Sequence, residues 1–108
     1  MKPEAQVSRY VTEFLKTVGF GFYSLEQGYR KERGGTRQTP GLPDMIAIGH
    51  GTCLMLELKA PGREKNLSDA QVFFQALCQA NGVPHVVASS TQDVFDYLAD
   101  IKVIEVTQ

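Results

Sequence analysis

The chain has 108 residues, 43% of them hydrophobic and 21% charged, with a net charge of −1. These values suit one globular domain, residues 1–108, with a single core and no room for a second. No apolar run approaches the ~20 residues of a membrane span, and no signal-type stretch follows Met1, so a cytoplasmic protein is expected. Cys53 and Cys78 stand in apolar surroundings without metal-ligand spacing, which suits buried, reduced thiols.

Charge is unevenly spread. Seven of the 11 basic residues fall between Arg30 and Lys65, whereas the tail carries Asp93, Asp96, Asp100 and Glu105 against Lys102 alone. One side of a nearly neutral molecule would then attract anions.

Pro3 suits a first helical turn, and Val7, Tyr10, Val11, Phe14, Leu15 and Val18 recur at three-and-four spacing. Gly19 and Gly21 end that helix. Phe20–Leu25 reads as a short aromatic strand, and the polar, glycine-rich stretch 26–43 as a long loop of the functional kind. Met45–Gly49 and Cys53–Lys59 read as strands joined across His50-Gly51, both buried on both faces. Ser68 opens a helix to about Ala80, capped by Asn81-Gly82. Val83–Ala88 is a strand and Thr91–Ala99 a helix, with Val94, Phe95 and Leu98 inward. Ile101–Val106 is a candidate closing strand. The order is α-β-β-β-α-β-α, an α/β arrangement.

A two-residue turn at His50-Gly51 pairs Gly49 with Thr52 and, four steps on, Met45 with Leu56. The next pair sets Asp44 opposite Glu57, with Cβ atoms ~4.5–5.5 Å apart, where like charges repel. A cation between them removes the repulsion. Lys59, two residues beyond Glu57, points to the same face. Two carboxylates and a lysine describe a Mg²⁺ or Mn²⁺ site for phosphodiester hydrolysis, with Lys59 orienting water or stabilising the transition state. Taken one at a time, the three read better as a turn aspartate and an edge-strand ion pair; together they favour the metal.

Arg30, Lys31, Arg33 and Arg37 on the loop that ends at Asp44, with Arg63 and Lys65 on the other side, are candidate phosphate contacts, the alternative being a solvated loop. Tyr29 is a candidate for base stacking. His50, at the hairpin tip, and His85 receive no role.

Pro43-Asp44 followed by Glu57-Leu58-Lys59 resembles the PD-(D/E)XK nuclease pattern. "GLPDMIAIG", "LELKAPG" and "LSDAQ" more narrowly resemble the VRR-NUC (virus-type replication-repair nuclease) family of that superfamily, from about Glu4 to Val94. The resemblance implies a restriction-endonuclease-like core, a mixed central sheet flanked by helices. It further implies a stand-alone viral or phage enzyme, working in the host cytoplasm as a homodimer on branched DNA such as four-way junctions. Among the metal ligands it implies the Leu58 backbone carbonyl and an acid on the first helix, matched by Glu4. Glu4 is equally suited to an N-terminal acid opposing the helix dipole. The resemblance places Gln71 at the active site, whereas Ser68-x-x-Gln71 is also a capping box, and both readings stand. Two other classes compete: a non-catalytic nucleic-acid-binding module with a nuclease-like fold, and a structural subunit of a repair complex.

Overall fold

A computed structural model describes residues 3–25 and 39–104. Among the described residues three helices, α1 (Pro3–Thr17), α2 (Asp69–Ala80) and α3 (Thr91–Asp100), surround four strands, β1 (Gly21–Ser24), β2 (Met45–Gly49), β3 (Thr52–Leu58) and β4 (His85–Ala88). The strands form one sheet in the order β1-β2-β3-β4. The first three run antiparallel, and β4 joins β3 in parallel, which makes the sheet mixed. Among the described residues no helix is long and apolar enough to cross a membrane.

The hairpin has the expected register, from Gly49↔Thr52 to Met45↔Leu56. His50 and Gly51 both have positive φ, 52° and 75°, as a two-residue turn matching strand twist requires. The His50 ring also lies against Phe20, with Nε2 at the Val18 carbonyl, far from the acids.

Alternation sorts the strands into two faces. Met45, Ala47, Leu54, Leu56, Val86 and Ala88 share the face that meets Val7, Val11 and Leu15 of α1 and Val94 and Leu98 of α3, and all are buried. Phe14 and Phe95 join the two helices edge to face, with ring centroids 6.3 Å apart. The opposite face carries Ile46, Ile48, Met55, Glu57 and His85, and α2 packs there through Phe74 on His85 and Gln71 on Glu57.

Three expectations need correction. Tyr10 is exposed although it falls at helical spacing with Val7 and Val11, at the edge of the stripe, where it lines an open cavity with Pro61, Ser89, Ser90 and Thr91. β2 is not buried on both faces: Ile48 is 49% exposed, since α2 packs beside β4 and leaves the β1–β2 half open. On the same open half the edge strand β1 is exposed throughout. Residues 101–104 form turns rather than a strand, with Val103 N–H bonded back to the Leu98 carbonyl, and Val103 and Ile104 pack on the core. Cys53 and Cys78 are free thiols, half-buried and buried.

Candidate functional site

At the end of β2 and β3 remote from the hairpin turn, the ladder stops and side chains take over. Pro43 has no N–H, and the regular pairing reaches no further than Met45↔Leu56. Leu58 N–H, directed toward β2, donates instead to Asp44 Oδ2 at 2.7 Å. The Asp44 carbonyl accepts from Leu25 N–H at 2.9 Å, which ties in the end of β1. The Asp44 carboxylate is thereby held at the seam between strands, and not directly across a ladder from Glu57 as the extended register implies.

Glu57 follows on β3 with only 4% of its surface exposed. Its Oε1 accepts from Gln71 Nε2 at 2.9 Å and lies 3.9 Å from Lys59 Nζ. Burial pushes the Glu57 carboxyl up from 4.5 to about 7, with the Asp44 charge next in weight. Lys59 opposes that rise, while Glu4 and a hydrogen bond with the Asp44 side chain add to it. A carboxyl with these neighbours is one whose ionised form a further cation would stabilise.

Gln71 makes the capping box and also reaches Glu57. Its backbone N–H donates to Ser68 Oγ at 3.1 Å and its Oε1 accepts from Ser68 N–H at 2.8 Å, a complete capping box. Its Nε2 remains for Glu57. A carboxamide has two ends, and each serves one purpose.

Glu4 is exposed at the start of α1, yet it lines a cavity of about 500 Å³ with Asp44, Met45 and Leu58. Leu58, whose carbonyl is an expected ligand, thus lies beside both acids. Ser8, one turn after Glu4, and Ser24, paired with Met45, line the same cavity and were not singled out from sequence. The helical spacing of Ser8 from Glu4 was the available signal; for Ser24 it required the β1 register. Glu57, Lys59 and Gln71 belong to the other side of the seam, with Asp44 between the two groups.

Among the described residues no three His, Cys, Asp or Glu side chains converge closely enough to hold an ion unaided. Mg²⁺ asks for less: one or two carboxylates with water and substrate oxygens complete its shell. Oxygen donors from Asp44 and Glu57, the latter raised in pKa by burial and then by the Asp44 charge, fit such a hard cation.

Arg63 and Lys65 are exposed on the segment between β3 and α2. Glu64 between them accepts from Gly62 N–H and from Ser89 Oγ, bonds that hold its carboxyl below the usual range and anchor the segment to the start of α3. Arg30, Lys31, Arg33, Arg37 and Tyr29 lie outside the described residues.

Comparison of the chain with protein-family models, with curated proteins and with solved structures returned no match. What the fold and site define is a mixed α/β protein with a clustered acid–acid–lysine group at the end of a hairpin.

Proposed function

We propose that this chain is a metal-dependent DNA endonuclease of the PD-(D/E)XK kind. By its resemblance to VRR-NUC domains, it would hydrolyse phosphodiester bonds in branched DNA such as four-way junctions. The observation that carries the reading is Glu57: a carboxyl almost fully buried, pressed by the Asp44 charge, and bracketed by Lys59 and Gln71. A fold that only needed a filled core would have an apolar residue there.

Asp44 and Glu57 would hold Mg²⁺ or Mn²⁺, with the Leu58 carbonyl and Glu4 as further oxygen donors. When bound, the ion would supply Lewis acidity toward a phosphoryl oxygen and a water of lowered pKa. Lys59 carries a positive charge beside Glu57, placed to orient the attacking water or to oppose charge gathering on the phosphate. Gln71 holds Glu57 Oε1 and so limits how that carboxylate can turn. Arg63 and Lys65, with Arg30, Lys31, Arg33 and Arg37, would neutralise DNA phosphates, and the scarcity of base-reading elements favours recognition of DNA shape.

The test is cleavage by purified protein of single-stranded, duplex, flap and four-way DNA, with Mg²⁺, Mn²⁺ or a chelator. Cutting that requires metal and prefers branched DNA is expected. Absence of cutting on all four substrates would sink the reading. Two cuts in a four-way junction call for two sites, so we propose a two-fold homodimer as the working unit. Light scattering on the protein alone and with junction DNA tests it, a monomer in both overturning the dimer. Because Val103 and Ile104 are spent on the core, the tail is a poor candidate for that interface, and the exposed Phe22 and Tyr23 of edge strand β1 are better ones.

A further inference from the structure

The first turn of α2 meets the site at two points, and each depends on a residue with no chemistry of its own. The first is Ser68. Its N–H is the partner of Gln71 Oε1, and that bond decides which end of the carboxamide faces Glu57. Reversed, the amide would set its NH₂ against the Ser68 N–H and its oxygen against a Glu57 oxygen, two donors facing in one place and two acceptors in the other. Only the orientation seen satisfies all four groups.

The second is Gly41, at φ +90°, on the approach to Pro43-Asp44. A Cβ there would lie 2.6 Å from the Ala70 carbonyl oxygen, a backbone atom that cannot swing aside. The Asp44 segment therefore rests directly on the α2 backbone, one residue before Gln71. Glycine permits both the left-handed conformation and the close approach.

We propose that Ser68 and Gly41 are positioning residues for Gln71: the cap orients its carboxamide toward Glu57, and the Gly41–Ala70 contact sets how near it comes. The link to turnover rests on the nuclease reading; the geometric part does not. Helix capping and site assembly are then one device.

Two substitutions at Ser68 separate orientation from capping. Ser68→Ala removes the Oγ cap yet keeps the N–H that orients Gln71. Ser68→Pro removes both, and the native φ of −68° already suits proline. In metal-free protein, hydrogen exchange of the Gln71 side-chain NH₂ is expected to be slow in the wild type and in Ser68→Ala. It should be about tenfold or more faster in Ser68→Pro and in Gly41→Ala, as for loss of a supporting hydrogen bond. Equal exchange in Ser68→Ala and Ser68→Pro overturns the proposal, and that pair decides it even if Gly41→Ala does not fold. In single-turnover cleavage with Mg²⁺, Ser68→Pro should be about tenfold slower than Ser68→Ala. In a Gln71→Ala background the gap should vanish, because both act through the same side chain. A gap that persists there shows that Ser68 serves helix stability alone and also overturns the proposal. A wild type that cuts no DNA removes the nuclease reading, while the exchange measurement still decides the positioning.

Discussion

The two faces of the sheet come from the same strands and differ in almost every other respect. Toward α1 and α3, Ala47, Leu54, Leu56 and Ala88 are wholly buried among aliphatic side chains. Toward α2, the same strands carry Glu57 and His85, the buried polar residues among those described, and leave Ile48 half in solvent. A dry, closed face supplies stability but cannot accept a charge without a large desolvation cost. The face that α2 covers only in part can hold a carboxyl at the sheet's end, near water and within reach of donors from a helix. Buried aliphatic and buried ionisable side chains are kept on opposite sides of β3, one residue apart.

The largest expected effects break the chemical side alone. Asp44→Ala, Glu57→Ala and Lys59→Ala should each lower cleavage by more than about a hundredfold, the scale of losing one transition-state partner. Folding, followed by circular dichroism and denaturant midpoint, should survive in all three. Wild-type rates in any one of them would remove the proposed site.

Substitutions one residue away should do the reverse. Leu56→Ala opens a cavity at a site with no exposure and should cost roughly 2–5 kcal/mol. Ile48→Ala, on the α2 face of β2, should cost less than about 1 kcal/mol. Comparable losses would mean that the two faces bear stability equally.

The pairing of the strands was legible in the sequence, whereas the contrast between their faces was not, since both central strands read as buried on both sides. A two-residue turn at His50-Gly51 fixes register for every later pair, so Met45↔Leu56 followed by counting. Counting fails one step on, because a short acidic side chain next to a proline can take a backbone donor that the ladder would have used, as Asp44 does at Leu58. Hydrophobic spacing located α1 and its buried Val7, Val11 and Leu15, but periodicity cannot say how wide a stripe the rest of the fold will cover, and Tyr10 was left outside it. Ile101–Ile104 have strand-like composition and instead fold back on α3, an outcome set by tertiary packing. Gln71 could be read as a cap from its spacing to Ser68, but its second bond, to Glu57, needed the packing of α2 on the sheet.

A titration sharpens the comparison next. The folded Glu57 carboxyl lies at about 7 against 4.5 for an ordinary one. Between those values the folded chain holds a proton that the unfolded chain releases, so stability of the metal-free protein should fall as pH rises through that window. The shift corresponds to at most about 3 kcal/mol. His85 acts in the opposite sense: burial lowers its pKa from 6.5, so the unfolded chain binds the proton first and stability falls as pH drops below that value. Between about pH 4.5 and 6.5 the two groups act in opposite senses, so urea midpoints in chelator should rise more steeply with pH in Glu57→Gln, where only the His85 slope is left, than in the wild type. A Glu57→Gln profile parallel to the wild type would contradict the buried, proton-holding carboxyl.

The smallest expected effect lies on the open part of the α2 side. Phe73 is 70% exposed and Leu77 52%, on a helix with no charged residue after Asp69. In an isolated monomer these side chains have little to lose, so Phe73→Ser and Leu77→Ser should move stability by no more than about 0.5 kcal/mol. Because water already covers most of each ring or branch, the transfer term that makes Leu56→Ala costly hardly applies. The measurement is best made at two protein concentrations. A loss that is small and independent of concentration leaves the two faces as described, one closed by its own helices and one open. A loss that grows as the protein is concentrated would mean that these side chains are covered by another molecule, since association stabilises the folded state by mass action. The α2 side would then be closed too, by a second chain, and the contrast between the faces would belong to the monomer alone.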